Sequence, residues 1–240
     1  VDVNGNNVTY ANAIGNGGGG VLTVLGTAGG GSLTLSGANT YAGNTTISNA
    51  TLVVNNSSGS GTGSGDVTVE NGGVLGGSGI ISGNVTVQTG GQTWPGSGGA
   101  TNTIGGNLTY NTGASANFDL GSSATGGGND RITLNGGSSV LTCSGVSVGI
   151  NCGLVLDQQH DYVLFNLTGG SASISGSFNA TPVWLGTTPP GAANYSVIVS
   201  GNQVLLHDSS PAISPVISAF SASPNPVLDF QTLTISATVT

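Results

Sequence analysis

The chain has no lysine, no methionine and a single arginine, Arg131, against nine acidic residues, so only 4% of its 240 residues are charged. One cation cannot neutralise a phosphate track, which excludes nucleic acid as a partner. Without Lys or Met, and with Glu70 as the only glutamate, the residues that build helix surfaces are missing. Aromatics are 5%, too few for a thick globular core. No run reaches the ~18 apolar residues of a membrane-spanning helix, and no signal peptide is evident, so Val1 reads as a mature or excised start. What is abundant is glycine, 45 residues, spaced without the three-residue period of collagen. Hydrophobic residues still make up 36%, which argues against charge-driven disorder.

That apolar content is arranged in short alternating runs. VLTVLG at Val21, SLTLSG at Ser32, TLVVN at Thr51, DVTVEN at Asp66, NVTVQTGG at Asn84, NLTYNTG at Asn107 and RITLNGG at Arg131 are each bounded by Gly, Asn or Ser. Period-2 alternation ending in turn residues predicts a strand followed by a corner. Starts at Ala50, Asp66, Asn84, Asn107 and Arg131 give intervals of 16, 18, 23 and 24 residues, a degenerate repeat. A unit of this size cannot bury its own inner face, but stacked units ~4.8 Å apart make one narrow core. The predicted inward positions are Val67, Val69, Val85, Val87, Leu108, Tyr110, Ile132 and Leu134. Asn suits the corners and can stack in hydrogen-bonded ladders.

LTLSGANTYAGNTTISNATLVV, residues 33–54, resembles the autotransporter-associated β-strand repeat, also called the passenger-associated transport repeat. GSGDVTVENGGVLGGSGIISGNVTVQTGG and the WPGSG at Trp94 continue the likeness, which extends over about residues 20–207. The resemblance implies an all-β, right-handed parallel β-solenoid (β-helix) in a secreted or surface-displayed bacterial protein. It implies no single activity. The chain carries neither a β-barrel translocator nor the aromatic-ended terminal strand of that family, so self-secretion is not inferred.

The predicted organisation is a solenoid domain over 1–207, a linker over 208–215 and a β extension over 216–240. Within the first, the longer and more hydrophobic strands of about 154–207 read as a cap, with a separate β-sandwich as the alternative. The extension resembles the first two strands of a bacterial immunoglobulin-like domain, too short to stand alone. Its apolar residues Val216, Ile217, Phe220, Leu228, Phe230, Leu233 and Ile235 are candidates for strand pairing with a neighbouring subunit.

Candidate sites are few. Cys143 and Cys152 are close in sequence and read as a local disulfide, hence an oxidising compartment, with two free buried thiols as the alternative. Asn-x-Ser/Thr triplets at Asn7, Asn44, Asn49, Asn55, Asn56, Asn84, Asn107, Asn166, Asn179 and Asn194 are possible glycosylation positions. Paired carboxylates for glycoside hydrolysis are not apparent, since Asp66, Asp119 and Asp130 fall in different repeats. Asp157, His160 and Asp161 cluster without a nucleophile elbow and read as a strand-entry turn. GGGNDRIT at Gly126 is one degenerate copy of a calcium nonapeptide and reads as a corner. No cofactor or metal is predicted. The expected role is an extracellular structural protein: a self-associating filament subunit or adhesin stalk, with a surface or glycan ligand as a further partner. The alternatives are a ligand-binding adhesin and a polysaccharide-active β-helix enzyme.

Overall fold

The computed structural model describes every residue except Asn16, Gly17, Ala28, Ser97, Leu154, 211–216, 224–233 and Thr240. Two compact units are present, Val1–Ser209 and Ser210–Thr240.

The first unit is wound from short strands in successive turns. They are β1 (Asn7–Tyr10); β2 (Leu22–Leu25) and β3 (Ser32–Leu35); β4 (Thr45–Ser48) and β5 (Thr51–Val54); β6 (Val67–Val69), β7 (Val74–Gly76) and β8 (Ile80–Ile81); β9 (Val85–Val87), β10 (Gln92–Thr93) and β11 (Thr101–Ile104). There follow β12 (Leu108–Tyr110), β13 (Ser115–Leu120) and β14 (Arg131–Leu134); β15 (Val140–Cys152) and β16 (Tyr162–Leu167); β17 (Ser173–Phe178) and β18 (Val183–Trp184); and finally β19 (Tyr195–Ser200) and β20 (Gln203–Asp208). The only helical element among the described residues is a 3₁₀ turn at Ala192–Asn194.

These strands form a parallel β-solenoid with three faces. The first sheet stacks β2, β4, β6, β9, β12, the start of β15, and β17. The second stacks β1, β3, β5, β7, β10, β13, the end of β15, and β18. The third runs β8, β11, β14, β16 in parallel and then closes with β20 and β19, which pair antiparallel. Strand β15 belongs to two sheets because it turns a corner at Ser144–Val146, where Gly145 takes φ 62°.

Columns of like residues fill the core. In the first sheet Ile47, Val69, Val87, Tyr110 and Cys143 lie directly above one another. Every predicted inward position is buried, but two occupy a different face. The sequence repeat aligns Ile132 and Leu134 with Leu108 and Tyr110. The structure instead stacks Leu141 and Cys143 there and puts Ile132 and Leu134 on the third sheet, against Asn102 and Ile104. Arg131–Leu134 has the same local pattern as the first-sheet strands, and local pattern carries no information on which face of a turn a strand occupies. The core widens toward the later turns, where Phe165 packs edge-on against Tyr110 and Phe118 at 6.1 and 5.3 Å. The Tyr110 hydroxyl is satisfied inside it by Thr93 Oγ1 at 2.6 Å.

One corner column holds the register. Asp66 N–H donates to Asn44 Oδ1, Asn84 N–H to Asp66 Oδ1, Asn107 N–H to Asn84 Oδ1 and Val140 N–H to Asn107 Oδ1, at 2.8–3.1 Å. Immediately before it runs a column of glycines. A Cβ on Gly65 would overlap the Gly43 carbonyl oxygen, and one on Gly83 the Gly65 carbonyl oxygen. Side chains here would push neighbouring turns apart, so glycine is required by proximity.

Among the described residues the second unit contains one antiparallel pair, β21 (Ile217–Ser223) and β22 (Thr234–Val239), in which Ile217 is opposite Val239, Phe220 opposite Ala237 and Ala222 opposite Ile235. Two paired strands do not make an immunoglobulin-like sandwich, and that resemblance finds no support. Val216, Leu228, Phe230 and Leu233 lie outside the described residues.

Candidate functional site

The cysteines are not joined: both are free thiols. They sit on opposite arms of the β15 corner, and the run from Ser147 to Cys152 alone lies straight against β13, which is ~16 Å of extended strand. A disulfide requires Cα atoms within about 7 Å, so closeness in sequence is undone by the strand between them. Cys143 is a core residue in the column of Val69 and Val87, where burial pushes its thiol up to about 12.

The asparagines of the candidate triplets divide by environment. Asn7, Asn44, Asn49, Asn55, Asn84, Asn107, Asn179 and Asn194 are exposed, and Asn166 is half-buried. Asn56 is 3% exposed. Its Nδ2 donates to the carbonyls of Ser58 and Gly59 while its Oδ1 accepts from Ile80 N–H. It ties one turn to the next and has no room for a glycan, which corrects the expectation at that position.

The Asp157 cluster is a stitched turn. Asp157 accepts the Ala124 and Gln159 N–H groups and faces His160 Nδ1 at 3.2 Å, and the Gln159 bond leads the interactions that hold its carboxyl low. The Tyr162 and Tyr195 hydroxyls donate to the Gly121 and Asp157 carbonyls. His207 Nδ1 meets Asp161 at 2.8 Å. Among the described residues neither histidine is hydrogen-bonded to a serine hydroxyl.

Asp130, the acidic residue of the calcium-like stretch, is fully buried. One carboxyl oxygen accepts Ala100 N–H at 2.9 Å and the other Asp119 N–H at 3.0 Å. Desolvation outweighs these bonds and pushes its carboxyl up to about 6. Both oxygens hold loops to strands, and among the described residues no group of three or more His, Cys, Asp or Glu is placed to hold a metal.

A further surface feature lies on the outer face of the second sheet. A groove of about 410 Å³ is lined by Thr51, Val53, Val74, Gln92, Trp94 and Asp119, with Gly76 and Gly77 at its floor and Pro95 and Gly96 at one end. It runs along β7 between Val53 of β5, which pairs with Gly76, and the Trp94 segment after β10. A Cβ on Gly76 would meet the Trp94 carbonyl oxygen. Trp94 is turned outward and fixed: its Nε1 donates to Asp119 Oδ1 at 3.2 Å, and Asn151 Nδ2 donates to the same oxygen at 2.7 Å. Gln92 Oε1 accepts from Asn117 Nδ2 at 3.0 Å. Sequence pattern places Asp119 in a different repeat from Asp66 and Asp130 and marks neither Trp94 nor Gln92 as a binding group. The signal was the WPG following QT, which places an aromatic at the end of an alternating strand instead of in its interior.

Residues 25–54 match the passenger-associated-transport-repeat family. The match spans β3, β4 and β5 and the corners between them. It points to a passenger-type surface protein and accords with the likeness read from residues 33–54. No curated protein matches the chain.

Proposed function

We propose that the protein is an extracellular structural element of the bacterial surface, a self-associating filament or stalk segment. The observation that carries this reading is the open row beyond β15. Among the described residues β17 and β18 stack on β15 and have a paired neighbour on one side only. Most of β17 is exposed, and Val183 of β18 is 48% exposed. Such an edge is a template for another strand, and the lack of Lys removes the usual charge that blunts it.

The second unit supplies a strand source. A two-stranded antiparallel sheet is marginal in water on its own. Its apolar set Val216, Ile217, Phe220, Leu228, Phe230, Leu233 and Ile235 gains burial by pairing with the edge of a second copy. Each added backbone bond contributes roughly 0.5–1.5 kcal/mol net, against ordering costs of about 1–2 kcal/mol per residue. Burial of Phe220 and Phe230, worth about 1.5–3 kcal/mol each, therefore decides the balance. The passenger-repeat match supports the surface setting, and the exposed triplet asparagines are the positions at which a glycan would be carried.

Negative-stain electron microscopy of the full chain and of a chain lacking 209–240 tests the reading. The full chain is expected to form linear assemblies at concentrations where the shortened one stays dispersed. Equal assembly by both would remove the tail from the mechanism, and dispersed full-length chains at every concentration would overturn self-association.

A further inference from the structure

We propose that the groove on the outer face of the second sheet binds a neutral pyranose, one or two sugar rings long, stacked on Trp94 and held by Asp119. Three observations converge there.

The first is shape. Val53, Val74, Trp94 and Pro95 line the groove together with Gly76 and Gly77, and the backbone of the Trp94 segment passes close against Gly76. The volume, about 410 Å³, suits a mono- or disaccharide and is too small for a folded partner. The second is surface chemistry. Pyranose rings present a C–H face and an equatorial belt of hydroxyls. The groove offers a mostly apolar floor with an indole beside it, and polar groups only at its margin: Thr51, Gln92 and Asp119. Apolar lining with a few placed polar groups is the usual composition of a small-ligand site. The third is preorganisation. A solvent-facing tryptophan would ordinarily sample several rotamers, but the Trp94 indole is fixed by Asp119 Oδ1, itself fixed by Asn151 from the next turn. Both bonds fall on Oδ1, so Oδ2 remains an acceptor for a sugar hydroxyl. Gln92 uses its Oε1 on Asn117 and keeps its Nε2 as a donor.

Charge selects among sugars. Asp119 is the ionisable residue lining the groove, and the chain carries a net charge of −8. A uronate or sialate would place a second carboxylate against the first, whereas a neutral hexose carries no such penalty.

The test is titration of the full chain with maltose, cellobiose, lactose and diacetylchitobiose, and with glucuronate as the anionic probe. Binding is read by the indole N–H resonance of Trp94, with a Trp184→Phe chain giving the assignment. At least one neutral disaccharide is expected to shift that resonance saturably at millimolar concentration, with glucuronate leaving it unmoved. Affinity for that disaccharide, read by calorimetry, is expected to fall by about 10-fold or more in Trp94→Ala and to be partly restored in Trp94→Phe, as for loss and return of an aromatic anchor. Asp119→Asn retains the Oδ1 acceptor for Trp94 and Asn151 and is expected to bind several-fold more weakly while its circular dichroism is unchanged. No shift with any of the four neutral sugars at 50 mM overturns the proposal. So does affinity that survives Trp94→Ala, or glucuronate binding as tightly as the neutral sugars. The outcome is independent of whether the protein assembles, since the groove lies on the sheet face and assembly is proposed at the edge.

Discussion

Lowering the pH from 7 to about 4.5 should make this protein more stable, and the cause is one carboxyl. Asp130 is fully buried, and desolvation, opposed by the N–H groups of Asp119 and Ala100 and reinforced by the Asp119 charge, raises it from 3.8 to about 6. A folded-state value above the unfolded one means that the folded chain binds the proton more tightly. The associated stability is therefore complete below the unfolded value of 3.8 and is lost as pH rises through about 6. With those two values, linkage gives about 2 kcal/mol of added stability between pH 7 and pH 4.5. For a domain of this size that is a rise of about 4–8 °C in Tm. Asp2 and Asp157 act in the opposite sense, because hydrogen bonds from the Thr27 side chain and the Gln159 backbone hold them low. Their contribution is present above the unfolded value and lost as pH falls below about 4, so the gain reverses only there. Thermal unfolding by circular dichroism across this range measures the effect, and Asp130→Asn isolates it. The amide cannot titrate; its Oδ1 keeps one of the two N–H bonds and its NH2, a donor only, gives up the other, a cost that is the same at both pH values. The wild-type chain should gain stability on acidification and the variant should lose most of that gain. A wild-type Tm that is flat or falls between pH 7 and pH 4.5, or an equal rise in the variant, would refute the reasoning.

Three further outcomes follow from the packing. Gly65→Ala sets a methyl against the Gly43 carbonyl oxygen and should cost about 1–3 kcal/mol in urea unfolding, whereas Gly137→Ala, with open space at its Cβ, should cost far less. Tyr110→Phe leaves Thr93 Oγ1 without its buried partner and should lower stability by about 1–2 kcal/mol. Both thiols should alkylate without reductant once the chain is unfolded, while in the native chain the half-exposed Cys152 reacts and buried Cys143 does not; intact-mass analysis reads the two cases.

The strands were legible in the sequence because alternation with Gly, Asn and Ser at the ends is a local signal. Val67, Val69, Val85 and Val87 needed no knowledge of the turn to be placed inside, and residue type alone suited Asn to the corners, though not which residues stack there: the column starts at Asn44 and ends on Val140, not Arg131. The assignment of faces was not local. Arg131–Leu134 has the pattern of a first-sheet strand, but the loop from Gly121 to Asp130 lengthens the turn and returns the chain on the third sheet. The cysteine pair misled for the same reason: proximity along the chain was read as proximity in space, and β15 is extended between them. Asp130 and Trp94 reversed their usual places, the carboxyl inside and the indole outside. Composition predicts the average tendency of each type, and only three-dimensional neighbours such as Ala100, Asp119 and Asn151 decide the exceptions.

The column Asn44, Asp66, Asn84, Asn107 has a consequence for how such a chain can change. Steps between stacked residues of the first sheet are 22, 18, 23 and 33 residues, yet the register is unbroken from Thr45 to Leu141. Each corner side chain captures an N–H at the entry to the strand of the next turn, whatever loop came before it. An error in loop length is therefore cancelled once per turn and never accumulates. Loops on the other corners are free to lengthen, shorten or be exchanged between turns without retuning the sheets, so the molecule can diversify its surface while the scaffold beneath it stays the same.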